Sequence, residues 1–229
     1  MAGPWTQTVA ALSLLRDKGL GIAGPSFLIA IERFHGLCST WNLSAKLMSA
    51  GDLDSHFDSH VADSLALLPW VERLTRNGDA FVVDIGSGAG FPAIPLILAG
   101  ANAKFVLIER SDKKAAFLRQ ALRQLSLRNT VVDCGVFPRT RMPEGRRVFT
   151  ARATEHPKSV DSEILRILRD GDCYLAQREI DQSERSAGAH ALTINDDFDR
   201  LGLRRGQLTA YCHESVLREF HVEPEAWGD

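Results

Sequence analysis

From Phe81 to Ile85 the chain reads Phe-Val-Val-Asp-Ile, and from Gly86 to Pro95 it reads Gly-Ser-Gly-Ala-Gly-Phe-Pro-Ala-Ile-Pro. The first half is short, apolar and rich in β-branched residues, the composition of a strand buried on both faces. The second half is paved with glycine and then turns apolar again, so the stretch predicts strand, tight turn and helix in succession. Gly86, Gly88 and Gly90 remove Cβ atoms from the turn. A ligand can then lie against bare backbone, with its negative groups on the N–H groups of the helix start. Pro92 suits the first helical turn, where a missing N–H is no loss.

Three nucleotide-type turns compete for this pattern, and spacing separates them. The dinucleotide fingerprint G-x-G-x-x-G needs a glycine where Phe91 stands, with the extra glycine falling at Gly90 instead. A P-loop ends in Gly-Lys-Ser/Thr, and no lysine follows here. Asp84 closes the strand two residues before the first glycine, where a carboxylate meets a cationic ligand group such as an amino-acid ammonium. An acidic residue followed by G-x-G-x-G resembles the S-adenosylmethionine (SAM) turn of class I methyltransferases.

The next apolar run, Ala103 to Ile108, ends at Glu109, twenty-five positions beyond Asp84. In a dinucleotide fold an acidic residue about 20 positions on accepts the ribose hydroxyls, so Glu109 is a candidate for that task. The plain alternative is an exposed glutamate at a strand end.

The whole chain sets wider bounds. Its 229 residues, 45% hydrophobic and 24% charged, are ordinary for a soluble globular protein and argue against disorder. A formal net charge of −2 gives no global attraction to nucleic acid, so any RNA contact must come from local basic patches. Cys38, Cys134, Cys173 and Cys212 are scattered, with no C-x-x-C and no paired histidine spacing. Neither a disulfide framework nor a metal site is expected, and a reducing cytoplasm fits. No signal-like segment opens the chain, and Phe27–Ile31 falls far short of the roughly 20 apolar residues of a membrane span.

Residues 1 to about 77 read as a helical extension, and 78–229 as the ligand-binding domain, together forming one compact unit. A first amphipathic stripe carries Trp5, Val9, Leu12 and Leu15. A second helix is expected over Ser26 to about Thr40, a turn over Trp41–Ala45, and a third helical stretch over Asp58–Leu68. From residue 80 strands and helices alternate: strands at 81–84, 104–109, 130–134, 147–151 and 172–177, helices at 92–99, 112–126 and 157–169. This alternation predicts a Rossmann-like, doubly wound parallel sheet. Residues 179–190 look like a loop, and Gln207–Cys212 with Val216–Val222 are expected to pair antiparallel at the sheet edge.

One combination is far more specific than any single motif. Asn42-Leu43-Ser44, His60-x-x-Asp63-Ser64-Leu65, Asp84-x-Gly86-Ser87-Gly88-x-Gly90-Phe91-Pro92-x-Ile94-Pro95, Lys113-x-x-x-Phe117-Leu118-Arg119 and Ala151-Arg152-Ala153 occur in that order. The chain thereby resembles the bacterial 16S rRNA guanine-N7 methyltransferases, the glucose-inhibited division protein B family, over about residues 30 to 178. The resemblance implies a class I SAM-dependent methyltransferase fold, SAM as cofactor and small-subunit rRNA as partner, with no metal. It places SAM across Gly86, Ser87, Gly88, Gly90 and Phe91, with Asp84 at the strand end. Glu109 would take the ribose, while Cys134, Val136 and Phe137 wall the adenine. Arg152 matches the family arginine beside the methyl-transfer site, and Arg178 is expected to help it position substrate.

Each of these roles has a structural counterpart. Arg152 can be an ion pair at a strand end. His60 and Asp63, one helical turn apart, either take part in the reaction or brace the fold. Arg110, Lys113, Lys114, Arg119, Arg123 and Arg128, with Arg139, Arg141, Arg146 and Arg147, either track an RNA backbone or form a solvated face. The chain departs from the family pattern at Ser59, Gly135, Phe137 and Arg178-Glu179, which lie on the substrate side. A methyltransferase with another substrate, and a silent RNA-binding module of the same fold, therefore stand beside the rRNA reading. A nicotinamide enzyme is more distant.

Overall fold

The fold is that of a computed structural model, in which residues 5–22, 24–152, 156–178, 180 and 189–220 are described. The β-branched runs form strands β1 (Phe81–Ile85), β2 (Lys104–Glu109), β3 (Thr130–Cys134), β4 (Arg147–Ala151) and β5 (Cys173–Ala176). They lie parallel in the order β3-β2-β1-β4-β5. Helices α6 (Ala93–Leu98), α7 (Asp112–Gln124) and α8 (Pro157–Ile167) connect them. The chain builds outward from β1 to β3 and then returns to the other side of β1 at β4. That reversal opens a crevice at the carboxyl ends of the strands, where open α/β sheets hold their ligands.

The sheet has seven strands. Strand β7 (Leu208–Cys212) runs antiparallel to β5, and β6 (His190–Ile194) pairs antiparallel with β7 on the outside. The expected partner Val216–Val222 is not that strand: Glu214–Leu217 is a short helix, α10, and residues from 221 lie outside the described residues. The loop expected over 179–190 also falls largely outside them, and its last residue, His190, opens β6.

Before the sheet come α1 (Thr6–Asp17), α2 (Gly24–Ala45), α3 (Ala50–Asp54), α4 (Phe57–Leu65) and α5 (Leu68–Thr75). Helix α1 buries Thr8, Ala11, Leu12 and Leu15, whereas Val9 of the expected stripe is half exposed. Its start has no cap of its own. The Asp58 carboxylate of α4 accepts the backbone N–H groups of Gln7 and Thr8 at 2.8 and 2.9 Å instead. Helix α2 runs through the turn expected at Trp41–Ala45. Trp41 packs against Phe117 of α7, and the Asn42 side chain ties the chain beyond the helix by bonding both backbone groups of Met48.

These helices share one apolar core with the sheet, in which Phe34, Val61 and Leu65 meet Val82, Phe105 and Leu107. The glycine turn is set into this core. Gly90 has φ +91°, and a Cβ there would stand 2.5 Å from Ile94 Cδ1 and 3.4 Å from Phe34 Cζ.

At the opposite end of the strands, where β4 begins, Arg147 is spent on Asp172. Its Nε donates at 3.0 Å, its backbone N–H donates at 2.9 Å, and both side chains are almost wholly buried. Arg146 pairs with Glu219 at 2.7 Å. Neither residue belongs to an open basic patch as the sequence implied, because each charge is matched by a carboxylate brought in from a later element.

Gly90→Ala is expected to destabilise the protein by about 2 kcal/mol or more, from left-handed backbone strain and overpacking against Ile94. Urea unfolding measures this: an unchanged midpoint would contradict the packing described for the turn.

Candidate active site

The turn after β1 is held by backbone. Gly86 and Ser87 donate N–H to Ile108 O at 2.8 and 3.1 Å, and Gly90 N–H returns to Ser87 O at 2.6 Å. Gly86, Gly88 and Gly90 all have positive φ, so this path suits glycine. Glu109, at the end of β2, reaches across. One carboxylate oxygen accepts Gly88 N–H at 2.9 Å, and the other accepts Ser111 N–H at 2.8 Å where α7 begins. It is only 6% exposed, so it is not the solvated strand-end glutamate of the plain reading. Each oxygen keeps a further lone pair for a ligand hydroxyl.

Above the turn lies a cavity of about 410 Å3, within the range of small-molecule sites. Gly86, Ser87, Gly88, Phe91 and Glu109 line one side, and Gly135, Val136 and Phe137 another. Leu47 and Met48 add an apolar wall. Arg152, His60, Asp52, Arg110, Lys114 and His156 bring the charged and polar groups.

Asp84 is placed differently from expectation. It is fully buried behind the turn and is not part of the cavity wall. Thr150 Oγ1 donates to one carboxylate oxygen at 2.8 Å, while the other has no hydrogen-bond partner. Burial pushes its carboxyl up to about 7, against the Thr150 bond and with the Glu109 charge adding to the rise. The group therefore sits at the balance point between acid and carboxylate, where a cation above the turn would favour the charged form.

Arg152 follows β4 and is clasped by α4. Its Nη1 pairs with Asp63 Oδ2 at 3.0 Å and donates to His60 O at 3.3 Å, and its Nη2 donates to His60 Nδ1. A guanidinium only donates, so Nδ1 is the acceptor and the ring proton sits on Nε2, which donates to Asp52 Oδ1 at 3.0 Å. Burial, reinforced by the Arg152 charge, pulls the imidazole down to about 4. His60 is thus neutral at pH 7. Burial pushes the Asp63 carboxyl up while Arg152 opposes the rise. Phe91 packs the assembly from below, its ring centroid 5.6 Å from His60 and 5.9 Å from the Arg152 guanidinium carbon.

The structure thus gathers Gly86, Ser87, Gly88, Phe91, Glu109, Val136, Phe137, Arg152 and His60 around one cavity. Gly90 lies beneath it as a packing position, and Asp63 acts on it by holding Arg152 and the Arg205 backbone. Cys134 is turned to Asp112, to which its thiol donates at 3.2 Å, and leaves the wall to the next three residues. Arg178 is not brought to the cavity: it forms an ion pair with Asp161 of α8, which also accepts the Tyr174 hydroxyl. Ala153 and Glu179 lie outside the described residues. Sequence reasoning missed Asp52 and Arg205. Asp52 sits on a separate short helix, so no helical spacing links it to His60.

These residues fit SAM. A Cβ at Gly88 would enter the cradle 3.6 Å from Gly86 O and 4.0 Å from the Glu109 carboxylate, and beneath the turn one oxygen of the buried Asp84 carries no hydrogen bond. Residues 28–200 match the family described as GidB, rRNA small subunit methyltransferase G. The chain belongs to this family. Within it, "Ribosomal RNA small subunit methyltransferase G" of Coxiella burnetii is 30% identical over 170 residues, covering 70% of this chain and 79% of that protein. The protein of that name from Xanthomonas oryzae is 30% identical over 155 residues, covering 68% and 70%. The Legionella pneumophila relatives align over 42% of their own length, 36% identical. GidB membership brings SAM as the cofactor and agrees with the fold. The SAH-bound Podospora anserina methyltransferase PaMTH1 superposes with a TM-score of 0.53 at 14% identity, covering 81% of this chain and 88% of its own. A mutant of MtNAS in complex with S-adenosylmethionine gives 0.53 at 13%, covering 82% and 76%. Among the described residues no helix is long and apolar enough to cross a membrane, and no cluster of potential metal ligands is present.

Two outcomes follow from this geometry. Glu109→Ala removes the acceptor between two backbone N–H groups and should weaken SAM binding about 10- to 100-fold in calorimetry; unchanged affinity would remove Glu109 from the cofactor site. A histidine held below its ordinary 6.5 resists protons that the unfolded chain accepts. Its share of stability is therefore complete above about pH 6.5 and is lost as the pH falls toward 4. The stability difference between wild type and His60→Gln should narrow over that interval in urea titrations, and a constant difference would contradict the neutral imidazole.

Proposed function

We propose that this chain transfers a methyl group from SAM to N7 of a guanine in 16S rRNA. The observation that carries the reading is one cavity lined together by the Gly86–Gly88 turn, Glu109 and Arg152, in a chain of the GidB family. SAM supplies an electrophilic methyl on a sulfonium. Guanine N7 offers a lone pair in the neutral base with no proton to remove, so the protein needs alignment and exclusion of water more than a base.

The lining residues suit that task. His60 is neutral, and its ring lone pair is taken by Arg152, so it is no free base. Arg152 is held in one orientation by Asp63 and His60, which leaves its planar fork of donors fixed at the cavity for a base edge or a phosphate. Arg110 and Lys114 on the rim add positive charge next to the cavity, as a polyanionic substrate requires. Arg119, Arg123, Arg128, Arg139 and Arg141 are exposed nearby in the chain, and of these Arg119 and Arg123 are partly engaged by Val132 O and Gln120. Arg178 is kept by Asp161, and we assign the substrate-positioning role to Arg152.

Mass spectrometry of 16S rRNA from cells with and without this chain tests the reading. One 7-methylguanosine should vanish in the deletion strain and return with the wild-type chain. Complementation with Arg152→Ala should restore less than about one hundredth of it, the size of a lost positioning contact. An unchanged rRNA methylation pattern would turn the reading toward another methyl acceptor.

A further inference from the structure

The connection between α9 (Asp197–Arg200) and β7 places two arginines side by side, and they are spent differently. Arg204 is buried and held by two acceptors, with Nη1 on Asp196 at 3.1 Å and Nη2 on Ile194 O at 2.8 Å. Arg205 is exposed, yet its backbone is anchored in the active site: its N–H donates to Asp63 Oδ1 at 2.7 Å. Its guanidinium then lies along the His60 ring, with Nη1 3.2 Å from Nδ1 and 3.4 Å from Nε2.

That position gives the guanidinium a shared contact with the imidazole but, among the described residues, no carboxylate partner. The His60 Nδ1 lone pair already takes Arg152, and Nε2 carries the proton donated to Asp52. Asp63 divides its oxygens between Arg152 and the Arg205 backbone. Asp52 divides its oxygens between His60 and the Ser49 hydroxyl, at 3.0 and 2.7 Å. Among the described residues, no carboxylate of this cluster forms an ion pair with the Arg205 guanidinium. The result is an anchored backbone carrying an exposed charged fork with no carboxylate partner among the described residues, beside the His60 ring that lines the cavity. Arginine in such a setting is matched by an oxyanion that accepts two N–H groups in parallel.

We propose that Arg205 is a substrate-binding residue, taking a phosphodiester of the RNA strand whose base enters the cavity beside His60. This rests on the RNA-methyltransferase reading above. It separates two tasks: Arg152, locked by Asp63 and His60, serves the reacting end, while Arg205 holds the strand at the rim.

The test uses the purified full chain with small ribosomal subunits and SAM at several salt concentrations. For Arg205→Ala the KM for RNA should rise about tenfold, the worth of one charge-assisted contact, with kcat within about twofold. The salt slope of RNA binding should fall by about one. SAM affinity by calorimetry and the melting temperature should stay at the wild-type values. Arg205→Lys should recover the salt slope but only part of the affinity, because a point charge replaces the fork. Inorganic phosphate should compete with RNA less well for Arg205→Ala than for wild type. An Arg205→Ala chain with wild-type KM and salt slope would overturn the proposal. So would a loss of kcat and SAM affinity at unchanged KM, which would make Arg205 a brace for His60. If the wild type itself transfers no methyl to RNA, the broader reading fails first and this proposal falls with it.

Discussion

The pair between Arg152 and Asp63 joins the two halves of the molecule at their most demanding point. A buried guanidinium and a buried carboxylate each carry a desolvation cost of several kcal/mol, which is recovered only when the geometry is good and the remaining donors and acceptors are filled. Here they are filled by His60, by its own carbonyl and by the Arg205 backbone. Three distant stretches of chain must therefore arrive together before this charge pair is tolerable. Removing one partner leaves the other buried and unmatched, so the arrangement specifies a single docking of α4 against the end of β4 and the approach to β7.

Phe91 makes the same junction from the apolar side. Its ring touches Phe34 of α2 and Phe57 of α4 at centroid separations of 5.4 and 5.2 Å, while its backbone belongs to the cofactor turn. The helices in front of the sheet are thus a wall of the site as well as a part of the core. Leu47 and Met48, just beyond α2, extend that wall to the cavity itself.

Much of this was legible in the residues. The five parallel strands fell within about a residue of the sequence expectation, because runs such as Phe81–Ile85 and Phe105–Ile108 are apolar, short and bounded by turn residues. The glycine spacing separated a SAM turn from a dinucleotide turn, and the cavity lies over it. What escaped was nonlocal. His190–Ile194 pairs with Leu208–Cys212 through a ladder that no local pattern announces. Arg147 reads as a surface charge beside Arg146, and only the register that brings Asp172 alongside turns it into a core residue. Asp84 reads as a ligand-facing carboxylate, but its side chain is buried beneath the turn toward Thr150 on the neighbouring strand. Asn42 and Ser44 read as turn formers, whereas packing of Trp41 on Phe117 carries the helix past them.

The strand order has a consequence for how the molecule is made. Every residue that lines the cavity, from Leu47 to Val160, is encoded before β5, while Arg205 sits between the two last-formed sheet elements. Synthesis proceeds from the amino end. A growing polypeptide thus carries every cavity-lining residue before it carries the stretch whose backbone completes the Asp63–Arg152 pair, and the final antiparallel strands act as the keystone that sets the entrance.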